Sequence, residues 1–99
     1  MKYRYVTKKG PGYFILTFND SGEQTNAFSN FDHSLQVWQS GMRWTGYCPE
    51  LDITAFGLDK VTAYQNTEKM MNIWIATQIR LEKLEKSILD LGYVKEEVN

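Results

Sequence analysis

The sequence has little of the residues that small proteins use to build disulfides and metal sites. It contains one cysteine, one histidine and two prolines among its 99 residues. A single cysteine cannot form a disulfide within the chain, and neither a CxxC pair nor a Cys/His cluster is present to bind zinc. The sequence therefore predicts neither a metal nor a cofactor and favours a reducing, cytoplasmic setting.

Long apolar runs and a strong net charge are missing as well. The longest apolar stretch near the basic N-terminus is Tyr13–Phe18, which is too short for a signal-peptide core or a membrane span. The net charge is −1, so nothing draws the whole molecule towards nucleic acid or an anionic bilayer. We expect no membrane partner, and any nucleic-acid binding has to be local.

Catalytic motifs are also missing. The sequence has no GxxxxGK[ST], GxGxxG or GxSxG motif, and the spacing of its carboxylates forces no two of them onto one face. A Cys/His nucleophile would need Cys48 beside His33, oriented by Asp32 or Asn30. A surface histidine and a structural cysteine explain the same residues. We therefore predict that the protein is not an enzyme.

The N-terminal residues carry strand and turn signals. Residues 2–7 alternate between two sides, as a half-buried strand does. A turn rich in glycine and proline follows, and residues 13–18 are apolar on both faces, as in a central strand. A second turn at Asn19–Gly22 leads to residues 23–28, which can return as a third strand. The pattern predicts an antiparallel β-meander over residues 1–28, with the first strand at an edge.

Residues 29–58 allow more than one secondary structure. Phe31, Leu35 and Trp38 have the spacing of a helical face, and Gly41 is placed to end a helix. A strand over the same residues also fits the pattern. We favour the short helix here and keep the strand as the alternative.

The rest of this middle region contains a strand signal and several aromatic residues. Residues 42–47 favour a strand, whereas the segment that begins at Pro49 fits either a helix or a strand. Trp38, Trp44 and Tyr47 could line a ligand pocket, although large aromatic side chains more often serve the core. The middle region is therefore expected to supply one or two short elements.

The C-terminal third has the clearest periodicity. Apolar or small residues follow one another at alternating steps of four and three: Met70, Trp74, Thr77, Leu81, Leu84, Ile88 and Leu91. This heptad pattern predicts one long amphipathic helix over residues 62–91, followed by a tail at 93–99. Gly92 suits the left-handed position after the last turn, and Tyr93 can complete a Schellman motif. The candidate N-caps are Thr62, Asn66 and Thr67.

The length of this helix suggests an interaction surface. A helix of about 25 to 29 residues is about 40 Å long, whereas a compact domain of this size is only about 33 Å across. One end should overhang and present apolar side chains to a second copy or to another protein. The predicted interface residues are Trp74, Leu81, Leu84, Ile88 and Leu91. The alternative is that the sheet curls far enough to cover the whole stripe.

A second candidate surface lies at the N-terminus, where basic and aromatic residues alternate. Such a patch could follow a phosphate backbone and stack bases, as single-strand nucleic-acid binders do. Its residues are Lys2, Tyr3, Arg4, Tyr5, Lys8, Lys9 and Tyr13. Edge strands also carry lysine to discourage pairing between sheets, and tyrosines can serve the core.

Together these features predict one α+β domain spanning residues 1–99, in which an N-terminal antiparallel sheet packs against one long C-terminal helix. We expect a small non-catalytic interaction module that acts as a regulator, adaptor or inhibitor of another macromolecule, as a homodimer. Small inhibitors encoded by phages and mobile elements share this general profile. The alternative is a single-stranded nucleic-acid-binding protein that uses the N-terminal patch.

Overall fold

The computed structural model describes residues 1–98, with the side chains of residues 24–30 left out of the description. These residues form an α+β fold, as predicted. The strands are β1 (Lys2–Val6), β2 (Tyr13–Phe18), β3 (Gln24–Asp32), β4 (Gln36–Ser40), β5 (Arg43–Cys48), β6 (Ile53–Gly57) and β7 (Val94–Val98). The helices are α1 (Lys60–Arg80) and α2 (Leu84–Asp90).

The larger sheet is antiparallel, with the strand order β3-β2-β1-β7. The predicted meander is confirmed, and β2 lies inside the sheet. The prediction that the first strand lies at an edge was wrong, because β7 pairs with β1 along its whole length from Lys2 to Val6. The expected tail at 93–99 is therefore this edge strand as far as Val98. The charged side chains of this segment give no strand signal. Its pairing partner, β1, is more than eighty residues away in sequence, so the pairing could not be predicted from local pattern.

The smaller sheet is also antiparallel, with the order β4-β5-β6. Our preference for a helix around Trp38 was wrong, and the strand alternative is confirmed. β4 pairs with β5 residue by residue around a two-residue loop in which Gly41 has a φ of 68°, the positive value that such hairpin loops require. The segment after Pro49 is a turn in which Asp52 has a φ of 54°, followed by strand β6. Long-range pairing thus outweighed the helical spacing.

The predicted continuous helix over 62–91 was also wrong, because the chain leaves the helix after Arg80. The N–H of Glu82 donates to the carbonyl of Ile79 over 3.0 Å, and the N–H of Lys83 donates to the carbonyl of Gln78 over 2.9 Å. These bonds form a Schellman motif, with Glu82 at the left-handed position that usually holds glycine, at a φ of 56°. Glutamate gave no sequence signal for this break.

The ends of the helical region partly agree with expectation. Helix α1 begins earlier than predicted, because Asp59 is the N-cap and its side chain accepts a hydrogen bond from the N–H of Thr62 over 2.8 Å. At the other end the Schellman motif at Gly92 is confirmed. Gly92 has a φ of 98°, and the N–H of Tyr93 donates to the carbonyl of Ile88 over 3.2 Å. Local hydrogen bonding therefore sets both helix ends.

The core lies between the inner face of the larger sheet, the second half of α1 and helix α2. Its buried members are Tyr5, Phe14, Leu16, Cys48, Leu51, Met71, Ile75, Leu84, Ile88 and Tyr93. The stacked rings of Phe14 and Phe31 lie 4.2 Å apart, and the edge of Tyr93 meets Phe14 at 5.5 Å. The contact of Tyr93 with Phe14 holds the connection between α2 and β7 against the sheet.

The smaller sheet packs against the first half of α1 through small residues. A Cβ atom on Gly46 would overlap the side chain of Thr67 and lie 2.8 Å from the carbonyl oxygen of Ala63. The two sheets therefore share α1, and the molecule measures 52 × 25 × 19 Å. At 21 residues, α1 is about 32 Å long, which is less than the length of the molecule. Its first half packs on the smaller sheet, and Met71 and Ile75 in its second half are buried in the core.

Candidate interaction surfaces

The predicted helical interface does not form a surface seam. Leu84 and Ile88 are only 2% and 0% exposed and belong to the core, whereas Leu91 and Trp74 are half-buried and Leu81 is 47% exposed. Burial of each leucine or isoleucine is worth about 1.5–3 kcal/mol, and a non-glycine residue in the left-handed conformation costs about 1–2 kcal/mol. The free energy gained by burying Leu84 and Ile88 exceeds the cost of the left-handed conformation at Glu82. This difference explains why the helix breaks there and α2 turns into the core.

The predicted nucleic-acid patch is divided between two faces of the larger sheet. Lys2 and Arg4 lie on the outer face, where the Arg4 guanidinium is 5.4 Å from the centre of the Tyr13 ring. Tyr3 and Tyr5 lie on the inner face, and Tyr5 is fully buried. The last basic residues of the patch, Lys8 and Lys9, are exposed in the loop after β1. Of the three predicted tyrosines, only Tyr13 therefore shares a face with Lys2 and Arg4.

Strand β7 also changes the charge around this patch. Glu96 is directly opposite Arg4 in the sheet. On the inner face, Tyr5 donates its hydroxyl hydrogen to Glu85, which also forms an ion pair with Lys95 at 2.9 Å. Burial, together with the bond to Glu85, raises the pKa of the Tyr5 hydroxyl well above its usual range. The acidic partners come from the far end of the chain and were invisible in the N-terminal sequence.

The structure gives Cys48 and His33 different surroundings. Cys48 is fully buried, and its thiol donates to Oε1 of Glu50 over 3.6 Å. Burial raises the pKa of the Cys48 thiol to about 11, so the thiolate required of a nucleophile is scarce at neutral pH. His33 stacks on Phe31, with ring centres 5.3 Å apart. This arrangement gives the Cys/His catalytic hypothesis no support.

Glu50 is a buried carboxylate whose contacts are within the protein. Its side chain accepts hydrogen bonds from the N–H of Gly12 over 3.0 Å and from the N–H of Ser34 over 2.8 Å. The Ser34 hydroxyl donates to both carboxylate oxygens over 2.9 and 3.1 Å. Burial alone would raise the pKa of Glu50, but these donors outweigh it and the pKa is lowered. Glu50 joins the β1–β2 turn, the β3–β4 connection and the β5–β6 turn.

The outer face of the smaller sheet carries exposed aromatic side chains that no element of the described chain covers. Trp38, Thr45 and Phe56 are cross-strand neighbours in the middle of β4, β5 and β6. Trp38 and Phe56 are each 44% exposed, while Thr45 between them is buried. Because side chains alternate along a strand, this row points away from α1, which packs on the side that carries Gly46.

Polar groups frame this row. The guanidinium of Arg43 lies over the Phe56 ring, 3.9 Å from its centre, a distance suited to a cation–π contact. The hydroxyl of Tyr47 donates to Asp52 over 2.9 Å, which raises the pKa of that hydroxyl. We call Trp38, Thr45, Phe56, Arg43 and Tyr47 the aromatic face. It combines a flat apolar centre with donors and acceptors at its edge.

A groove lies between strand β4 and helix α1, on the opposite side of the smaller sheet from the aromatic face. Its volume is about 390 Å³. Its lining residues are Val37, Lys60, Val61, Tyr64, Gln65 and Glu68. We call it the β4 groove. A second groove of about 290 Å³ lies further along α1, beside Phe31 and His33.

Sequence reasoning missed the aromatic face. The candidate pocket residues Trp38, Trp44 and Tyr47 do not share one side of the sheet, because Trp44 lies on the opposite side of β5 from Tyr47. The signal that could have found the face is the alternation of Arg43, Thr45 and Tyr47, which predicts one side of a strand. The partner residue on β6, Phe56, becomes a neighbour only after the strands pair.

No family model matches this chain, and neither a curated protein nor a solved structure matches it. Among residues 1–98, no helix is both long enough and apolar enough to cross a bilayer. The described residues also contain no group of three or more histidine, cysteine, aspartate or glutamate side chains placed to hold a metal ion. The aromatic face and the β4 groove are thus identified from geometry, without a similar protein for comparison.

Proposed function

We propose that this protein is a non-catalytic interaction module that acts as a regulator, adaptor or inhibitor of another protein. It acts as a homodimer and contacts its target through the aromatic face. The observation that supports the proposal is the pair of exposed side chains, Trp38 and Phe56, on either side of buried Thr45. Isolated surface hydrophobic residues are ordinary, but an uncovered apolar cluster with a polar border is typical of interaction sites.

The composition of the aromatic face favours a protein target. Tryptophan, tyrosine and arginine are the residues most enriched among binding hot spots, and charged residues are depleted from the centres of protein interfaces. The face has one cation, Arg43, whereas nucleic-acid affinity depends on several cations that neutralise phosphates. We expect a target that places an apolar side chain between Trp38 and Phe56 and a carboxylate beside Arg43.

The single-stranded nucleic-acid alternative has weaker support, because Tyr3 and Tyr5 lie on the other side of the sheet from Lys2 and Arg4. It can be tested separately. Binding of a labelled oligonucleotide at low salt that disappears when Lys2, Arg4, Lys8 and Lys9 are changed to serine would favour this alternative. Absence of binding by the native protein at low salt would remove it.

The proposal is tested by quantitative pull-down from an extract of the cells that make the protein. The native protein and the variants Phe56→Ala and Arg43→Glu are immobilised at equal density, and retained proteins are measured by mass spectrometry. We expect a target whose retention falls at least about tenfold in both variants, because loss of a hot-spot contact costs more than about 1.4 kcal/mol.

The matched control is Ile73→Ala, which truncates an apolar side chain of similar exposure, 50%, on helix α1. This variant should retain the target as the native protein does. The proposal fails if every retained protein binds the Phe56→Ala variant as well as the native protein. It also fails if Ile73→Ala lowers retention as much as Phe56→Ala does.

A further inference from the structure

The two sheets leave four edge strands, β3, β7, β4 and β6. An edge strand presents unpaired backbone N–H and C=O groups, and proteins normally protect such strands with charges, bulges, proline or a covering element. Comparison of the four edges shows which of them lacks protection.

Three edges carry a protective device. Strand β7 has three consecutive exposed charged residues, Lys95, Glu96 and Glu97. The register of β3 against β2 is irregular at two places. Strand β6 is covered by α1, and the side-chain amide of Asn66 donates to the carbonyl of Phe56 over 2.7 Å. Each device disfavours the addition of another strand.

Strand β4 has none of these devices. Its sequence, Gln36–Ser40, contains no charged residue and no proline, and its pairing with β5 is continuous over all five residues. In the described part of the chain, no side chain from another element forms a hydrogen bond with its backbone. The β4 groove leaves the helix side of this edge open. Strand β4 is therefore the edge that is available for pairing.

We infer that strand β4 pairs antiparallel with β4 of a second copy of this chain, so that two smaller sheets form one continuous sheet. The inference rests on the homodimer in the proposed function but is independent of the target-binding role of the aromatic face. Both occupants of the edge would be the same uncharged strand, so no like charges face each other across the pair.

The hairpin geometry sets the register. In a two-residue hairpin, Ser40 and Arg43 form the pair that closes the loop and exchange both hydrogen bonds, and hydrogen-bonded pairs then alternate along the strands. The N–H and C=O groups of Val37 and Gln39 therefore point to the free edge. A two-fold axis at Trp38 places Val37 opposite Gln39 of the second copy and satisfies all of these groups. A two-fold axis at Val37 or at Gln39 would leave some of these N–H and C=O groups without a partner in the second strand.

The side chains agree with this register. Trp38 would face Trp38 of the second copy in a pair without hydrogen bonds, where cross-strand aromatic contacts are favourable. On the helix side, the two β4 grooves would lie next to each other in opposite directions. Lys60 and Glu68 lie at opposite ends of the groove, two helical turns apart. The two-fold axis at Trp38 therefore brings the Lys60 end of one groove towards the Glu68 end of the other. Neither side chain forms an ion pair within the described chain.

Pairing would also extend the aromatic face. The outer surfaces of the two smaller sheets would join at Trp38, so that Phe56 and Arg43 occur twice on one continuous surface. A target with two-fold symmetry, or one with a long flat surface, would then contact both halves. Dimer formation and target binding remain separable, because Gln39 lies at the edge and Phe56 lies on the face.

The first test is the absolute mass in solution, measured by light scattering after size exclusion over a concentration series. We expect the native protein to be a dimer and the Gln39→Pro variant to have half its mass. Proline removes the N–H that points to the free edge but leaves the bonds to β5 intact, so the circular dichroism spectrum should not change. The control variant is placed on β6, the covered edge of the same sheet. Thr54→Lys is the matched control, because it adds a charge at that edge and should remain a dimer.

The second test is a disulfide cross-link that reports the register. Facing Cα atoms in an antiparallel pair without hydrogen bonds are about 4.5 Å apart, within the range that a disulfide spans. Trp38→Cys should therefore cross-link two chains under mild oxidation. Gln36→Cys should not, because the two positions 36 would be about 13 Å apart. The native Cys48 is buried and should not interfere.

A native protein that is monomeric at all concentrations would overturn the inference and the homodimer of the proposed function together. A dimer that persists in Gln39→Pro, with no cross-link from Trp38→Cys, would overturn this interface alone. Loss of target retention by Phe56→Ala with the dimer unchanged would support the aromatic face independently. The two proposals therefore fail in distinguishable ways.

Discussion

Glu50 allows a quantitative test of what holds the two sheets together. Its buried carboxylate accepts hydrogen bonds from the N–H groups of Gly12 and Ser34 and from the Ser34 hydroxyl. Hydrogen bonds to a charged group contribute about 1.5–3 kcal/mol each, and a buried donor left without a partner costs about 1–3 kcal/mol. Glu50→Ala removes the acceptor of several donors at once, so we expect a loss of roughly 3–5 kcal/mol. That is a large part of the total of about 5–15 kcal/mol typical of a domain.

Urea unfolding followed by tryptophan fluorescence and circular dichroism measures this loss. For a small protein the free energy of unfolding falls by about 1–3 kcal/mol per molar urea, so the midpoint for Glu50→Ala should fall by at least about 1 M. The control is Glu97→Ala, an exposed carboxylate on β7, which should leave the midpoint almost unchanged. A loss below about 1 kcal/mol in Glu50→Ala would refute the structural role of this carboxylate.

The pH dependence provides a separate check. The pKa of Glu50 is lowered in the folded protein from its ordinary value of 4.5, so the unfolded chain binds the proton more readily. The stability from this group is therefore fully present above pH 4.5 and is lost as the pH falls through the folded pKa. Glu85, whose pKa is also lowered, adds a slope of the same sign. The difference between the native protein and Glu50→Gln isolates Glu50, and equal slopes would contradict the assignment.

Other predictions concern the helix ends and the thiol. We expect Glu82→Gly to stabilise the protein by about 0.5–1 kcal/mol, because glycine adopts the left-handed conformation without strain. Gly92→Ala should destabilise it by about 1 kcal/mol. Thermal unfolding measures both, and a loss of stability in Glu82→Gly would mean that the glutamate side chain itself is needed at the break. Native Cys48, with its pKa raised to about 11, should react with a thiol reagent only as fast as the protein unfolds. Rapid modification at neutral pH would show that the thiol is accessible.

Local features of this fold could be predicted from the sequence. Residues 13–18 form a central strand because their side chains are apolar on both faces, and Gly92 ends α2 because few other residues tolerate its φ of 98°. The pattern predicts a strand over residues 42–47, and β5 covers all of them except the first. Each of these predictions depends on interactions between residues close together in the chain, which a periodicity or a turn motif records directly.

Other features required contacts between distant residues. The heptad stripe continues through Glu82, yet the helix breaks there because the burial of Leu84 and Ile88 outweighs the cost of a left-handed glutamate. Strand β7 forms on β1 although its sequence is mostly charged. Neither outcome has a local signal, because the free energy that favours it comes from the far end of the chain.

The candidate surface shows the same division. The abundance of aromatic residues was evident from composition, and it indicated either a core or a binding site. The side to which Trp38 and Phe56 point was set by strand pairing and by Gly46, which lets α1 approach closely on the opposite side. An aromatic side chain is buried or exposed according to which face of its strand meets another element. The composition thus indicated that aromatic residues were available for an interaction surface. The packing of α1 on one face of the smaller sheet decided that Trp38 and Phe56, on the other face, stay exposed.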